Sequence, residues 1–405
     1  MERVDVAVVG AGQAGLSVAR SLSNLGIQHV VLERGRVGQA WRDRWDSFCL
    51  VTPNWAIELT DGGYQGADPD GFMPKQDIVD LIQSYAGRMN IYVREGVEVT
   101  AIDADTDGFL VDTSNGALRA KAVVLCNGAF QRPHRPAGHE SLPADIFQID
   151  ATNYRKPEDL PAGDVLVIGS GQTGCQLAEE LHEAGRQVVL SCGKAPWIPR
   201  RLGDKDIVWW AVETGFLDQP VSALPHPSAR LGANLLNTGH DGGHDLHYRT
   251  LQGMGIQLTG HFRGADGYTV NFADDLTQSV AWGDDRYRDF MGLAKDLIRA
   301  RGISGVTVEE PQPFVADAPQ SISLFGFGAV IFTGGFRPDY GELVPWPMAL
   351  DEYGFPVQVD GASAIKDGLF FSGVHFMRKR KSSVLLGTGE DAAIVAGKIA
   401  DYLRL

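Results

Sequence analysis

The sequence predicts an α/β fold built from two Rossmann-like, three-layer units, with the second inserted into the first. Three observations carry this. A β-branched run, Val4-Asp-Val-Ala-Val-Val9, ends in the turn Gly10-Ala-Gly-Gln-Ala-Gly15 and is followed by apolar residues at helical spacing, Leu16, Ala19 and Leu22. The same order recurs in Asp164-Val-Leu-Val-Ile168, Gly169-Ser-Gly-Gln-Thr-Gly174 and the helical segment from Cys175 to Glu183. Between and after these copies lie Pro/Gly-rich stretches that suit crossings better than core elements.

In chain order, the first strand ends at the glycines and the first helix stops at Gly26. A second strand, His29-Val-Val-Leu32, ends at Glu33. The connector holds Gln131-Arg-Pro-His-Arg-Pro-Ala-Gly138 and Leu160-Pro-Ala-Gly163. The second copy then runs through its strand, glycine turn and helix to Gly185 and the strand Gln187-Val-Val-Leu190. Tyr287 to Arg301 carries Phe290, Leu293, Ala294, Leu297 and Ile298 on one helical face, a core-facing stripe. Pro311 to Pro319 precedes Ala329-Val-Ile-Phe332, another strand closed by glycines. The boundaries this suggests are 1–155 for the first part of the first unit, 156–318 for the inserted unit, and 319–405 for the remainder.

Composition removes whole classes of function. The 405 residues are 44% hydrophobic, enough to bury two cores, and the formal charge of −15 repels phosphate backbones and anionic lipid, so neither nucleic acid nor a membrane surface is an expected partner. No apolar run approaches the roughly 20 residues a bilayer span needs. Asp5 and the early glycines interrupt what would be the apolar region of a cleavable signal. Cys49, Cys126, Cys175 and Cys192 show no CxxC spacing, which points to a reducing cytoplasmic setting without a dithiol centre.

The glycine turns carry chemistry. In the first, Gly10 permits the tight turn, Gly12 lets backbone approach a pyrophosphate, and Gly15 lets the helix pack close to its strand, with the helix N-terminus facing the anion. Glu33, ending the second strand, suits the hydroxyls of an unphosphorylated adenosine ribose, as in FAD or NAD. In the second unit Ser191 stands at that place, with Lys194, Arg200 and Arg201 behind it, a setting that accepts a 2′-phosphate and favours NADPH. Two nucleotide units in one chain imply FAD in the first and NADPH in the second, because a flavin stores the two electrons a nicotinamide delivers.

The chain resembles the class B flavoprotein monooxygenases. The matching stretches are Gly10 to Gly15, Gly38-Gln-Ala-Trp41, Gly169 to Gly174, Phe332-Thr-Gly-Gly-Phe-Arg-Pro-Asp339, Gly368-Leu-Phe-Phe-Ser-Gly373 and Gly389-Glu-Asp-Ala392. Arg44-Trp-Asp-Ser-Phe-Cys-Leu-Val-Thr-Pro-Asn54-Trp55 looks like one bacterial subgroup of flavin-dependent oxidoreductases. The resemblance implies an NADPH-dependent FAD monooxygenase that uses a C4a-(hydro)peroxyflavin to oxygenate a nitrogen or sulfur centre of a small molecule, with dioxygen as co-substrate. Asn54 occupies the place of an asparagine that contacts flavin and nicotinamide in the wider family, which makes it the catalytic candidate; a turn asparagine after Pro53 is the plainer reading. The cofactor-binding set implied adds Gln13, Ala14, Arg34, Gln39, Ala40, Trp41, Thr52, Val99, Asn127, Gly128, Gly171, Gln172, Thr173, Thr333, Gly334, Gly373 and Asp391.

One stretch departs from the family. The fingerprint FxGxxxH is replaced by Ala144-Asp-Ile-Phe-Gln-Ile-Asp150, with Asp150 in the histidine's place, which argues against Baeyer–Villiger chemistry. A flavin oxidase or reductase without oxygen insertion, and a redox partner protein, stay open as alternatives, as does a homodimer. His240, His244 and His247 sit in a glycine-rich loop and read as loop or nucleotide-facing surface rather than a metal site. Arg378-Lys-Arg-Lys381 reads as a solvated loop or a clamp on an anion, Trp197, Trp209 and Trp210 as packing, and Cys175 and Cys192 as small buried apolar residues.

Overall fold

The computed structural model describes residues 1–232 and 234–404. Strand β1 (Glu2–Val9) leads into helix α1 (Gln13–Asn24) and strand β2 (His29–Glu33). A one-turn helix α2 (Gln39–Arg42) and the longer α3 (Lys75–Arg88) precede β3 (Val93–Glu95). Next come β4 (Val99–Asp105), β5 (Gly108–Thr113) and β6 (Gly116–Leu125). The first sheet has β15 (Leu369–Phe371), β6, β1, β2 and β3 side by side and parallel, with Val6 opposite both His29 and Ala122. Val6, Ala7 and Val8 are fully buried, as expected for a central parallel strand covered on both faces. Strands β4 and β5 form an antiparallel meander that pairs with the opening half of β6, and α8 (Leu385–Arg404) packs against α1.

The second sheet is also parallel. Its order is β7 (Phe147–Asp150), β14 (Phe327–Phe332), β8 (Asp164–Ile168), β9 (Val188–Ser191) and β10 (Gln257–Thr259). Helix α4 (Gln172–Glu183) follows β8, and α5 (Ile207–Glu213) and α6 (Tyr248–Met254) belong to the same unit. The other face is closed by the antiparallel strands β11 (Phe262–Asp266), β12 (Thr269–Phe272) and β13 (Ser321–Ser323), whose Phe262, Val270 and Phe272 pack on Leu166, Ile168, Val330 and Phe332. Helix α7 (Leu276–Arg301) buries Phe290 and Ala294 of the expected stripe, along with Tyr287, and begins eleven residues earlier than its apolar spacing suggested.

Two segments depart from the sequence boundaries. Phe147–Asp150, placed within 1–155, and Phe327–Phe332, placed within 319–405, are both strands of the second sheet, with Ile331 opposite Ile149 and Val167. A strand of four to six residues bears no mark of which sheet it joins; the neighbour that folding brings alongside decides. The chain passes between units at the small ribbon of Arg132–Pro133 with Phe336–Arg337. The Pro311 to Pro319 stretch is no crossing: Arg249, Gln252 and Gln257 donate to the carbonyls of Gln312, Val315 and Asp317, lacing it to the second unit.

Phe371 is fully buried in β15 and meets Tyr340 edge to face at 5.8 Å. Phe371→Ala should cost the first unit about 3–5 kcal/mol, read as a lower unfolding midpoint in a urea titration; an unchanged midpoint would mean that β15 contributes little to that core.

Candidate functional site

In both sheets the parallel strands end at one edge, where ligands of open α/β sheets bind. In the first sheet that edge carries Gly10 after β1, Glu33 closing β2, Asn127 just after β6, and Ser372 after β15. Gly10 adopts φ +103°, and a Cβ there would sit 2.6 Å from the Cys126 carbonyl oxygen. A Cβ on Gly15 would lie 1.9 Å from the Gly10 carbonyl oxygen, whereas one on Gly12 would meet nothing within 4 Å. The turn is therefore closed on its strand side and open at Gly12, where backbone N–H groups at the start of α1 are available to an anion. The Glu33 carboxylate accepts from the Ala11 and Gly35 backbone N–H groups, both at 2.8 Å, which fixes it beside the turn with acceptor capacity to spare.

Buried polar atoms without partners mark where a ligand would complete the site. The Oδ1 atoms of Asn54 and Asn127 and the Ser372 Oγ are buried and unpartnered, a condition that costs about 1–3 kcal/mol each unless something fills it. Asn54 is only 5% exposed and opens a short 3-10 turn. Its Nδ2 donates to the Asp68 carbonyl and its backbone N–H to that of Gly71, both at 2.9 Å, so the 68–71 loop, silent in the sequence, is what aims the free oxygen. Trp41 Nε1 donates to Gln13 Oε1 at 3.1 Å, joining α2 to the start of α1. Gly373 packs on Ala14, where a Cβ would approach to 2.7 Å. These residues fit FAD.

The remaining first-unit candidates divide. Gln39 spends its side chain on the Arg36 N–H and on Asp43, and Arg34 and Ala40 lie exposed beside Glu33 and on α2. Thr52 is half-buried on the segment leading to Asn54, and Gly128 holds φ +89° after Asn127. Val99 sits in the meander opposite Thr113, and Val97, two residues earlier, donates its N–H to the Glu33 carbonyl. Asp391 is turned away into an ion pair with Arg378 at 2.7 Å.

The second edge is built alike, with Gly169 at φ +111° and a Cβ on Gly174 lying 2.0 Å from the Gly169 carbonyl oxygen. Gly171 caps α4, with Gln172 and Thr173 in its first turn. Gln172 Nε2 faces the Leu235 and Asn237 carbonyls, and Asn237 Nδ2 is buried without a partner at this edge. Ser170 accepts from the Gly193 N–H at 2.8 Å and meets Tyr248 Oη at 2.5 Å, while Tyr248 donates to the Gly193 carbonyl at 2.6 Å. Ser170, Asn237 and Tyr248 were missed in the sequence because their proximity is wholly tertiary. Thr333 is a strut: its hydroxyl lies 2.6 Å from the Gly169 carbonyl oxygen and 3.1 Å from that of Ile168, while Gly334 packs on the His134 carbonyl.

Two of the four residues expected to greet a 2′-phosphate are otherwise engaged. Ser191 Oγ donates to the Gly260 carbonyl at 3.0 Å inside the core. Arg200 is buried, pairs with Asp206 at 2.5 Å, and donates to the Val51 carbonyl at 2.8 Å, tying the inserted unit to the segment that carries Asn54. Lys194 is exposed beside the glycine turn, and Arg201 is exposed as well. The three loop histidines part company. His244 pairs with Glu179 at 2.7 Å, His240 faces Glu183 at 3.5 Å, and His247 caps α6 while packing on Trp197 at 4.4 Å. Asp150 forms a two-pronged pair with Arg135 at 2.8 and 2.9 Å. Trp210 is fully buried, and Cys126, Cys175 and Cys192 are buried, with desolvation pushing their thiols well above the ordinary range.

Comparison with known proteins agrees with this geometry. Residues 7–207 match the pyridine nucleotide-disulphide oxidoreductase family. An uncharacterised CzcO-like oxidoreductase of Geobacillus kaustophilus is 29% identical over 98% of this chain and 99% of its own. Rat flavin-containing monooxygenase 3 is 29% identical over 230 residues, 50% of this chain and 43% of that protein. The fold matches the flavin-containing monooxygenase of Stenotrophomonas maltophilia over 100% of both chains, with a TM-score of 0.69 and 18% identity. The chain is thus similar in sequence to flavin-containing monooxygenases over about half its length and shares the fold of one over its whole length. Among the described residues no helix is long and apolar enough to cross a membrane.

Burial lowers the pKa of His247 to about 4. The folded state thus binds this proton less readily than the unfolded chain, whose histidine titrates near 6.5, so its contribution to stability is complete above about pH 6.5 and is lost as pH falls toward 4. His247→Asn keeps an N-cap acceptor and should flatten the fall in unfolding midpoint between pH 6.5 and 4; an unchanged profile would exonerate this histidine. Arg200→Met, which leaves Asp206 buried and unpaired, should destabilise by about 3–5 kcal/mol, whereas the double change with Asp206→Leu should recover most of that in the same melting experiment.

Proposed function

We propose that the chain is an NADPH-dependent FAD monooxygenase that places one oxygen atom of dioxygen on a nitrogen or sulfur centre of a small molecule. The observation that carries the reading is the unpartnered Asn54 Oδ1, held on the segment where Arg200 ties the two units together. FAD, when bound and reduced by NADPH, supplies the electrons and the oxygen-activating ring. The chain's own residues bind and orient. The open Gly12 turn and the start of α1 would receive the pyrophosphate, Glu33 the adenosine ribose, and Asn127 and Ser372 the polar groups along the strand ends. In the second unit the Gly169 turn and Asn237 Nδ2 would hold the nicotinamide nucleotide, with Lys194 near its 2′-phosphate. Asn54 would orient the reacting groups between them. Trp45 and Phe48, packed edge to face at 4.9 Å, and the ring of Trp41 exclude water from that side. Nucleophilic nitrogen and sulfur substrates need little proton transfer, which agrees with a site whose polar atoms are amides and hydroxyls.

Incubating the holoprotein with NADPH, labelled dioxygen and a panel of amines, hydroxylamines and thioethers should put one labelled oxygen in the product. Stoichiometric hydrogen peroxide with every compound would instead make the chain an oxidase. Asn54→Ala should keep its FAD and lower coupled turnover by on the order of 100-fold, with more peroxide formed per NADPH. Lys194→Ala should raise the KM for NADPH by roughly tenfold and leave that for NADH unaltered; equal changes for both would remove the lysine from phosphate recognition.

A further inference from the structure

The basic side chains of this acidic protein are mostly neutralised in place. Arg378 pairs with Asp360, Glu390 and Asp391, and Lys379 and Lys381 pair with Asp218 and Glu390. Three arginines near them are less fully paired. Arg44 lies over the rings of Phe48 and Phe130, at 5.5 and 5.6 Å, with no carboxylate in hydrogen-bonding reach. Arg380 stacks on Phe216 at 4.1 Å and Phe376 at 5.0 Å, and its side-chain partner is the neutral amide of Gln219. Arg230 stacks on Phe355 at 3.6 Å, donates to the His375 carbonyl at 3.0 Å, and reaches Asp351 only at 3.5 Å. The Nε atom of each of the three is buried and unpartnered.

These groups converge on one place. Phe130 stands 6.4 Å from the His375 ring and 5.4 Å from that of Phe336, and it is 49% exposed, so the assembly opens to solvent on that side. Burial, assisted by the charges of Arg230 and Arg380, lowers the pKa of His375 to about 4, so the imidazole is neutral at pH 7 and adds no charge. His375 Nδ1 meets Ser383 Oγ at 3.0 Å. Phe376, next in the chain, holds φ +50°, a conformation that bulky residues avoid and that the surrounding packing must enforce. Position matters too: Arg44 and Phe130 come from the loops after α2 and β6, His375 follows the Ser372-Gly373 strand end, and Arg230 comes from the inserted unit. The cluster thus joins the loop after β15, at the carboxyl end of the first sheet, to the inserted unit through Arg230 and Phe216.

Three guanidiniums held among aromatic rings face two carboxylates, Asp351 paired with Arg230 at 3.5 Å and Asp43 beside Arg44 in the chain, which leaves a local excess of positive charge. A buried charge lacking its counter-ion is expensive, and the planar guanidinium fork matches a carboxylate bidentately. We propose that Arg44, Arg230 and Arg380, with Phe130, form a binding site for an organic carboxylate with an apolar or aromatic body. Taking that carboxylate as the monooxygenase's substrate rests on the reading of function above; the anion site itself does not.

Titrating the oxidised holoprotein, without NADPH, with benzoate, phenylacetate and their amides tests this through the visible flavin spectrum and tryptophan fluorescence. The acids should bind saturably and at least roughly tenfold more tightly than the amides. Arg44→Gln and Arg380→Gln should each weaken the acids by a similar factor while FAD content and the melting temperature are kept, and saturating NADP⁺ should leave the acids' affinity within about twofold. Equal binding of acid and amide, or no binding of either, would overturn the site. Loss of FAD from Arg44→Gln would assign that arginine to the flavin, and displacement of benzoate by NADP⁺ would assign the cluster to the dinucleotide; each outcome defeats the proposal. Because nothing in the titration depends on turnover, a chain that proves to be an oxidase would still bind the acids.

Discussion

A side chain at Gly15 would place its first carbon 1.9 Å from the carbonyl oxygen of Gly10, and one at Gly174 would stand 2.0 Å from that of Gly169. This close approach of helix to strand is the constraint on which both halves of the molecule rest. It brings the start of each helix to the carboxyl edge of its sheet, where the first backbone N–H groups have no partner within the helix. The buried Val and Ala residues of β1 then stack neighbouring strands in register, so that Glu33, Asn127 and Ser372 arrive at the same edge without being close in sequence. An edge shaped to receive a dinucleotide follows from packing, and several acceptors and donors along it are left unsatisfied by the protein itself.

The two edges must also face one another at a fixed spacing. Arg200 does part of this, reaching from the inserted unit to the Val51 carbonyl while Asp206 neutralises it in a region closed to water. A second tie is the network in which Asp218 of the inserted unit and Glu390 of α8 share Lys379 and Lys381, reinforced by backbone bonds from Val221 to Arg378 and from Arg380 to Gln219. The lysine pairs are partly exposed and individually weak, and their worth lies in number and in the backbone bonds beside them. What the sequence offers as a run of basic residues is thus, for three of its four members, a clasp on the chain's own acids.

Much of the architecture was legible because it is local. Strand, glycine turn, helix and second strand are each written in fewer than about fifteen consecutive residues, and both copies appear where the apolar spacing and the glycines put them. Glu33 was legible for the same reason, since a fixed position at the end of the second strand defines it. Ser191 occupies the equivalent position and fails, because a hydroxyl buried against the Gly260 carbonyl finds its partner from a strand some seventy residues away. Asp391 was drawn off by Arg378, an encounter no motif announces.

By itself, then, the sequence determined the class of fold, the two glycine turns and the acidic residue beside the first of them, because backbone conformation and helix polarity are properties of short segments. Tertiary structure decided which sheet receives Phe147–Asp150 and Phe327–Phe332, since a short strand pairs with whatever neighbour folding brings alongside. It decided, too, which charges are spent and which remain. Whether an arginine becomes a strut like Arg200 or stays less fully paired like Arg44 depends on acids brought near by folding, and electrostatic pairing in a region shut off from water is a property of distance in space.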